Sequence, residues 1–150
     1  MIAYPDTSFL CSVYRKQVHT PRALAYKETM AEPLHFTSLL EFEFIQAIRL
    51  QVWLHAADHR KGYNERTADQ MIEDWECDVA TGVNVLVPCD MDAVLRLARV
   101  FSLKRTAAGG HRTLDALHVA TAVHLGAKDL LTFDARQREL ATHAGLRVPL

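Results

Sequence analysis

His111-Arg-Thr-Leu-Asp-Ala-Leu-His-Val-Ala-Thr-Ala122, then Leu130-Leu-Thr-Phe-Asp-Ala-Arg-Gln137, is the part of the chain that decides the fold. From Leu114 on, the first stretch is apolar or small on nearly every side, which predicts a buried helix. Thr113 is expected to cap it and Gly126 to end it. Asp129 to Phe133 reads as a strand. Asp134, with Gln137 three residues on, suits a capping box that opens another helix, stopped by Gly145. Leu146 to Val148 reads as a last strand. Helix, strand, helix, strand in this order is the repeating unit of a parallel sheet.

Working toward the N-terminus, the alternation continues. Val83 to Val87 is a β-branched run closed by Pro88, hence a strand. Residues 91–104 carry Val94, Leu95, Leu97, Ala98 and Phe101 at helical spacing. Thr106 to Arg112 reads as a basic loop around Gly109-Gly110. A helix is expected from near Arg66 to Gly82, after the break at Gly62 and Asn64. A long helix capped by Ser38 is expected to reach about residue 59, and His35 to Thr37 before it reads as a strand. Pro21 suits the first position of a helix capped by Thr20. Residues 7–17 look helical, and Ile2 to Tyr4 forms the first strand. The expectation is a single domain over 1–150: a three-layer α/β/α sandwich around a central, mostly parallel sheet of about five strands.

Bulk composition agrees with one folded domain. Apolar residues make up 49% and charged residues 23% of the 150, too apolar for disorder. The net charge is −1, so a basic surface, where present, is local. Three cysteines without C-x-x-C spacing argue against a disulfide framework or a zinc ribbon, and suit reduced thiols in a cytoplasm. The opening MIAYPDTSFL lacks a basic segment followed by an apolar run, so no signal peptide is expected. No stretch reaches the roughly 18 apolar residues of a membrane span.

The chemistry is carried by carboxylates in unusual places. Sites in such sheets form outside the carboxyl ends of the strands. Asp6 follows the first strand and Asp134 the fourth, so the two can approach, although each is also a natural helix cap. Asp115 lies in the first turn of an otherwise apolar helix. The helix dipole accounts for it if it faces solvent, whereas a position facing the strand ends calls for a cation. His118 lies on the same side one turn later, read as a packed or positioning histidine rather than a ligand. Glu41 and Glu43 are about 200° apart on the long helix, both among apolar residues. The wheel does not choose between them, but an unpaired buried acid is costly, so at least one needs water, a partner or a metal. Four acids at one end of a sheet would repel one another unless a divalent cation joined them. Oxygen ligands suit Mg²⁺ or Mn²⁺, and such a centre hydrolyses phosphodiesters.

Four motifs carry a resemblance to a known family: Tyr-Pro-Asp-Thr-Ser at 4–8, Glu-Phe-Ile-Gln-Ala-Ile-Arg at 43–49, His111 to Ala122 and Leu130 to Gln137. Across nearly its whole length the chain resembles PIN-domain proteins, specifically VapC-like toxins. The resemblance implies Asp6, Glu43, Asp115 and Asp134 as catalytic acids that ligate Mg²⁺ or Mn²⁺. It prefers Glu43 over Glu41 because Gln46-Ala47 follows Glu43 at the family's spacing. It implies second-shell or phosphate roles for Thr7 and Thr132, an RNA substrate, a homodimer, and inhibition by a small antitoxin that inserts a C-terminal segment into the acidic groove. Pro5 departs from the family's more usual apolar strand residue.

Lys104, Arg105, His111 and Arg112 flank Gly109-Gly110 just before Asp115, which suits either phosphate positioning or a solvated loop. His55 and His59 at i, i+4 read as a solvated helix face. Phe42, Phe44, Trp53, Met71, Ile72 and Trp75 read mostly as core, with any exposed excess a partner surface. The alternative functions are a PIN-fold RNA-processing nuclease outside toxin–antitoxin systems and a catalytically silent RNA- or protein-binding module. Phosphatase-like chemistry on Asp6 would need a second Asp where Ser8 stands.

Overall fold

The computed structural model describes residues 3–150; Ile2, placed in the first strand by the sequence, lies outside the described residues. Four short strands are present: β1 (Ala3–Pro5), β2 (Leu34–Phe36), β3 (Asn84–Leu86) and β4 (Asp129–Leu131). β1 pairs with β4 and β2 with β3, both parallel, with Tyr4 opposite Leu130 and His35 opposite Val85. β1 and β2 run side by side and complete the spatial order β3-β2-β1-β4. Among the described residues they share no ladder, so the expected five-stranded sheet is two two-stranded pairs set edge to edge. The expected strand at Leu146 to Val148 shrinks to one bridge between Asp129 and Arg147. It lies at an edge with Pro149 next in the chain, and proline has no N–H to extend a ladder.

The helices form two packed sets. α1 (Thr7–Tyr14) contacts α2 (Thr20–Glu28) and α3 (Ser38–Ala57), and α3 contacts α4 (Glu65–Ala80). α7 (Thr113–His124) contacts α5 (Met91–Phe101) and α8 (Ala135–His143). The sequence places most boundaries within two residues, and the differences are local. Thr37, not Ser38, caps α3, its hydroxyl accepting the Leu40 N–H at 3.4 Å. His19 rather than Thr20 stands at the start of α2. α7 starts at Thr113, the residue expected to cap it: Arg112 holds the cap position instead, and its N–H donates to the Asp115 carboxylate at 2.8 Å. The loop expected from Thr106 begins later. After α5 the chain continues through a wide π turn (Ser102–Thr106) and a short helix α6 (Ala107–Gly109), then reverses at Gly110 with φ +65°. Ala107 and Ala108 favour helix, which is why the Gly-Gly pair stops the segment rather than filling it.

The first core layer gathers around Trp75. Its ring lies 4.7 Å from Phe36, 5.2 Å from Phe44 and 5.7 Å from Tyr14, centroid to centroid. Phe44, Met71 and Trp75 are buried as expected, whereas Phe42 and Trp53 are 68% and 65% exposed. They stand three turns apart on one face of α3. His59 is exposed and His55 half-buried; their rings meet at 3.4 Å, and His55 Nδ1 also lies 3.0 Å from the Lys61 carbonyl.

Candidate active site

Asp6 sits where β1 ends and α1 begins. Its N–H donates to the Leu131 carbonyl of the neighbouring strand at 3.0 Å, which fixes it at the strand end. Its carboxylate then turns inward and is only 3% exposed. Oδ1 accepts the Phe9 N–H at 2.9 Å, capping α1, and the Ser8 hydroxyl at 2.7 Å. Oδ2 accepts the Thr132 hydroxyl at 2.6 Å. Burial pushes the Asp6 pKa above the usual carboxylate range, and the Thr132, Ser8 and Phe9 hydrogen bonds counter this only in part.

Glu43 reaches the same region from the second turn of α3. Its Oε2 accepts from Thr7, the residue after Asp6, and from Nε2 of His118 on α7. Burial raises this carboxylate too, but the hydrogen bond and charge of His118, with help from Thr7, hold it below the usual range. Two acids in one pocket are thus pushed in opposite directions. His118 is 1% exposed, and its Nδ1 bonds to no protein group. Glu41, two residues earlier, leaves this region: its carboxylate accepts the Trp75 indole N–H at 3.3 Å.

The other two acids belong to helix starts. Asp134 caps α8, accepting from Arg136 N and Gln137 N at 2.8 and 3.0 Å, and is exposed. The expected capping box is half made, because the Gln137 side-chain oxygen is buried without a partner. Thr132 links Asp134 to the strand ends, accepting the Asp134 N–H at 3.0 Å while donating to Asp6. Asp115 is half-buried one turn before His118 on the same helix side. Arg112 contributes its backbone N–H to Asp115, while its side chain is exposed.

Thus Asp6 with Thr132, and Glu43 with Thr7 and His118, form two hydrogen-bonded groups that meet where Thr7 follows Asp6 in the chain, while Asp115 and Asp134 are tied to helix N-termini. Among the described residues no three His, Cys, Asp or Glu side chains gather tightly enough to form a metal cage. The donor set nevertheless suits a hard divalent cation. It is all carboxylate oxygen, Glu43 Oε1 carries no hydrogen bond, and the raised pKa of Asp6 is what a nearby cation would reverse.

Sequence reasoning missed Ser8 as a member. Its hydroxyl donates to Asp6 and accepts the Phe133 N–H at 2.9 Å, joining the ends of β1 and β4. The signal was its place two residues after Asp6, where a short hydroxyl side chain reaches back to the carboxylate. Tyr4 was also missed; its hydroxyl lies 3.0 Å from Thr37 Oγ1 and ties β1 to the start of α3.

Two solved structures share the architecture. Mycobacterium tuberculosis VapC20, described as a Sarcin-Ricin loop cleaving toxin, is 14% identical, with 97% of this chain and 96% of that one covered at a TM-score of 0.66. PAE2754 from Pyrobaculum aerophilum is 16% identical, with 99% and 89% covered at a TM-score of 0.56. No curated protein sequence matches the chain. At these identities the likeness speaks for the fold alone. The PIN domain family model matches residues 3–142, nearly the whole chain. This protein belongs to the PIN-domain family.

Proposed function

We propose that the protein is a Mg²⁺- or Mn²⁺-dependent endoribonuclease that serves as the toxin of a toxin–antitoxin pair. The observation that carries the nuclease reading is the Asp6 and Glu43 network at the carboxyl ends of parallel strands, with Asp115 and Asp134 at the helix starts beside it. The toxin reading is supported by the full-length structural likeness to VapC20, itself described as a toxin. In this reading a small antitoxin and a second copy of the chain are its partners, and it works in the cytoplasm. No helix among the described residues is long and apolar enough to cross a membrane.

Asp6, Glu43, Asp115 and Asp134 would hold the cation. Such partial ligation by few carboxylates is the habit of Mg²⁺, which keeps part of its hydration. When bound, such a cation would supply a more acidic water and stabilise the negative charge that develops on the phosphate and on the leaving 3′ oxygen. Thr132 and Ser8 orient Asp6, and Thr7 and His118 orient Glu43 through Oε2, which would leave Oε1 for ligation. One of the four acids would orient the attacking water or accept its proton, and Asp134 is the exposed one. In-line attack by that water leaves a 5′ phosphate on one product and a 3′ hydroxyl on the other.

Purified protein incubated with an RNA panel and Mg²⁺ or Mn²⁺ tests this, with EDTA and Asp115→Asn as controls. The expected result is cleavage that both controls abolish. Cleavage surviving Asp115→Asn would place the chemistry elsewhere, and no cleavage by antitoxin-free wild type would leave a binding module.

A further inference from the structure

A cavity of about 250 Å³ lies between α5, the π turn and the start of α7. Leu95 and Leu117 give it apolar walls, Arg99 and Arg112 stand beside it, and no acid lines it. Among the described residues neither guanidinium takes part in an ion pair. His111 belongs to its lining. That ring is 6% exposed, yet both of its nitrogens are buried without a hydrogen-bond partner. Buried polar atoms of this kind are costly in a folded chain and mark places where a further group is expected.

The reason for their isolation is Gly109. The Nδ1–Cε1–Nε2 edge of His111 lies against its backbone, so closely that a Cβ there would stand 2.2 Å from Cε1. The next residue, Gly110, carries the φ of +65° that turns the chain over the ring. The π turn on the other side is a helix irregularity of the type often found at binding sites. The polar edge of the imidazole is thus covered by the Gly109 backbone, the first half of a Gly-Gly strap, rather than by a partner.

We infer that this cavity is a nucleotide-binding subsite, in which a base packs against Leu95 and Leu117, its phosphate meets Arg99 and Arg112, and the base edge bonds to His111 once the strap lifts. A mixed apolar and cationic lining fits an aromatic anion better than a bare phosphate or a neutral ring. An imidazole in its neutral form offers one donor and one acceptor, the pairing that a base edge presents in return. The size is that of a pocket for one base rather than for a larger ligand, for which roughly 300–1,000 Å³ is usual. The Arg112 N–H is bonded to Asp115, so the subsite adjoins the proposed acidic centre. The assignment to RNA recognition rests on the nuclease reading above; the binding itself does not.

The test uses the whole protein in EDTA, so that no cleavage intervenes. The four nucleoside 5′-monophosphates, the nucleosides and inorganic phosphate are titrated in turn by calorimetry, with the His111 ring nitrogens followed by NMR. The expected result is that at least one monophosphate shifts the His111 signals and binds ten-fold or more tighter than phosphate. Arg99→Ala should weaken it several-fold, and Ser102→Trp, at the exposed mouth, should abolish it with an unchanged circular dichroism spectrum. Glu43→Gln should leave it intact. Phosphate binding as tightly as nucleotides would overturn the proposal, as would binding that Ser102→Trp spares and Glu43→Gln removes, or His111 signals that no nucleotide moves. Nucleotide binding at His111 in a protein that cleaves no RNA would sink the nuclease reading and leave this subsite standing.

Discussion

Asp6 shows how a single side chain trades stability for chemistry. Burial raises its pKa, so its ionised form destabilises the folded state at neutral pH. Below the ordinary carboxylate range Asp6 is protonated in both folded and unfolded chains, and the penalty disappears; it grows as pH rises through the folded pKa. Asp6→Asn, which keeps the cap, should therefore raise the thermal midpoint at pH 7 in EDTA, by about 2–4 °C per kcal/mol relieved. The gain should vanish when the melts are repeated near pH 3.5. A variant that melts no higher than wild type at pH 7 would show that its hydrogen bonds already offset burial. Glu43 and Glu41 separate just as cleanly. Glu43→Gln should lower RNA cleavage by about a hundred-fold, in line with loss of a ligand or its support. Glu41→Gln keeps an acceptor for Trp75 and should lower it by less than about three-fold; equal losses would remove the distinction. The candidacy of Asp6 and Asp134 was legible from their places directly after strands, and that of Asp115 and Glu43 because acids among apolar residues are conspicuous. The choice between Glu41 and Glu43 was not legible from the helical wheel, since it depends on Trp75 and His118, 34 and 75 residues away in the chain.

At the scale of elements, the strap at Gly109 and Gly110 divides two kinds of glycine. Gly110 has a left-handed φ but open space around a built Cβ, so Gly110→Ala should cost about 1–2 kcal/mol from backbone strain alone. Gly109→Ala should cost more, because the His111 ring must move as well. Urea midpoints of the two variants check the order, and a reversed order would mean the ring yields freely. Helix and strand identities were readable from periodicity and from Pro, Gly and Asx signals. The extent of the strands was not. Three-residue strands are set by which neighbours line up, and the last one failed to form beyond Arg147 for want of a continuing N–H at Pro149. The π turn left no sequence signal, since Ser102 to Thr106 reads like any polar helix end.

The whole molecule joins its two helix sets and all four strands around one buried core. A chain with one core of this kind should unfold in a single cooperative step. If the proposed homodimer forms, light scattering should give twice the chain mass of 16.9 kDa. The urea midpoint should then rise with protein concentration, because dissociation accompanies unfolding. A monomer mass with a concentration-independent midpoint would remove the dimer from the proposal. The parallel α/β class was readable from alternation over the full length, whereas the grouping of strands into pairs was not, being a matter of long-range register.

That grouping has a mechanical side. Asp6 rides on the β1–β4 pair, whereas Glu43 follows from the β2–β3 pair through Thr37 and α3. No backbone ladder crosses between the pairs among the described residues; Tyr4 to Thr37, Thr7 to Glu43 and His118 to Glu43 do so through side chains. The two acids therefore sit on opposite jaws of a caliper whose spindle is made of hydroxyls and one imidazole. Substitutions in those hydroxyls or in the imidazole should alter the spacing of the two acids while leaving each strand pair intact.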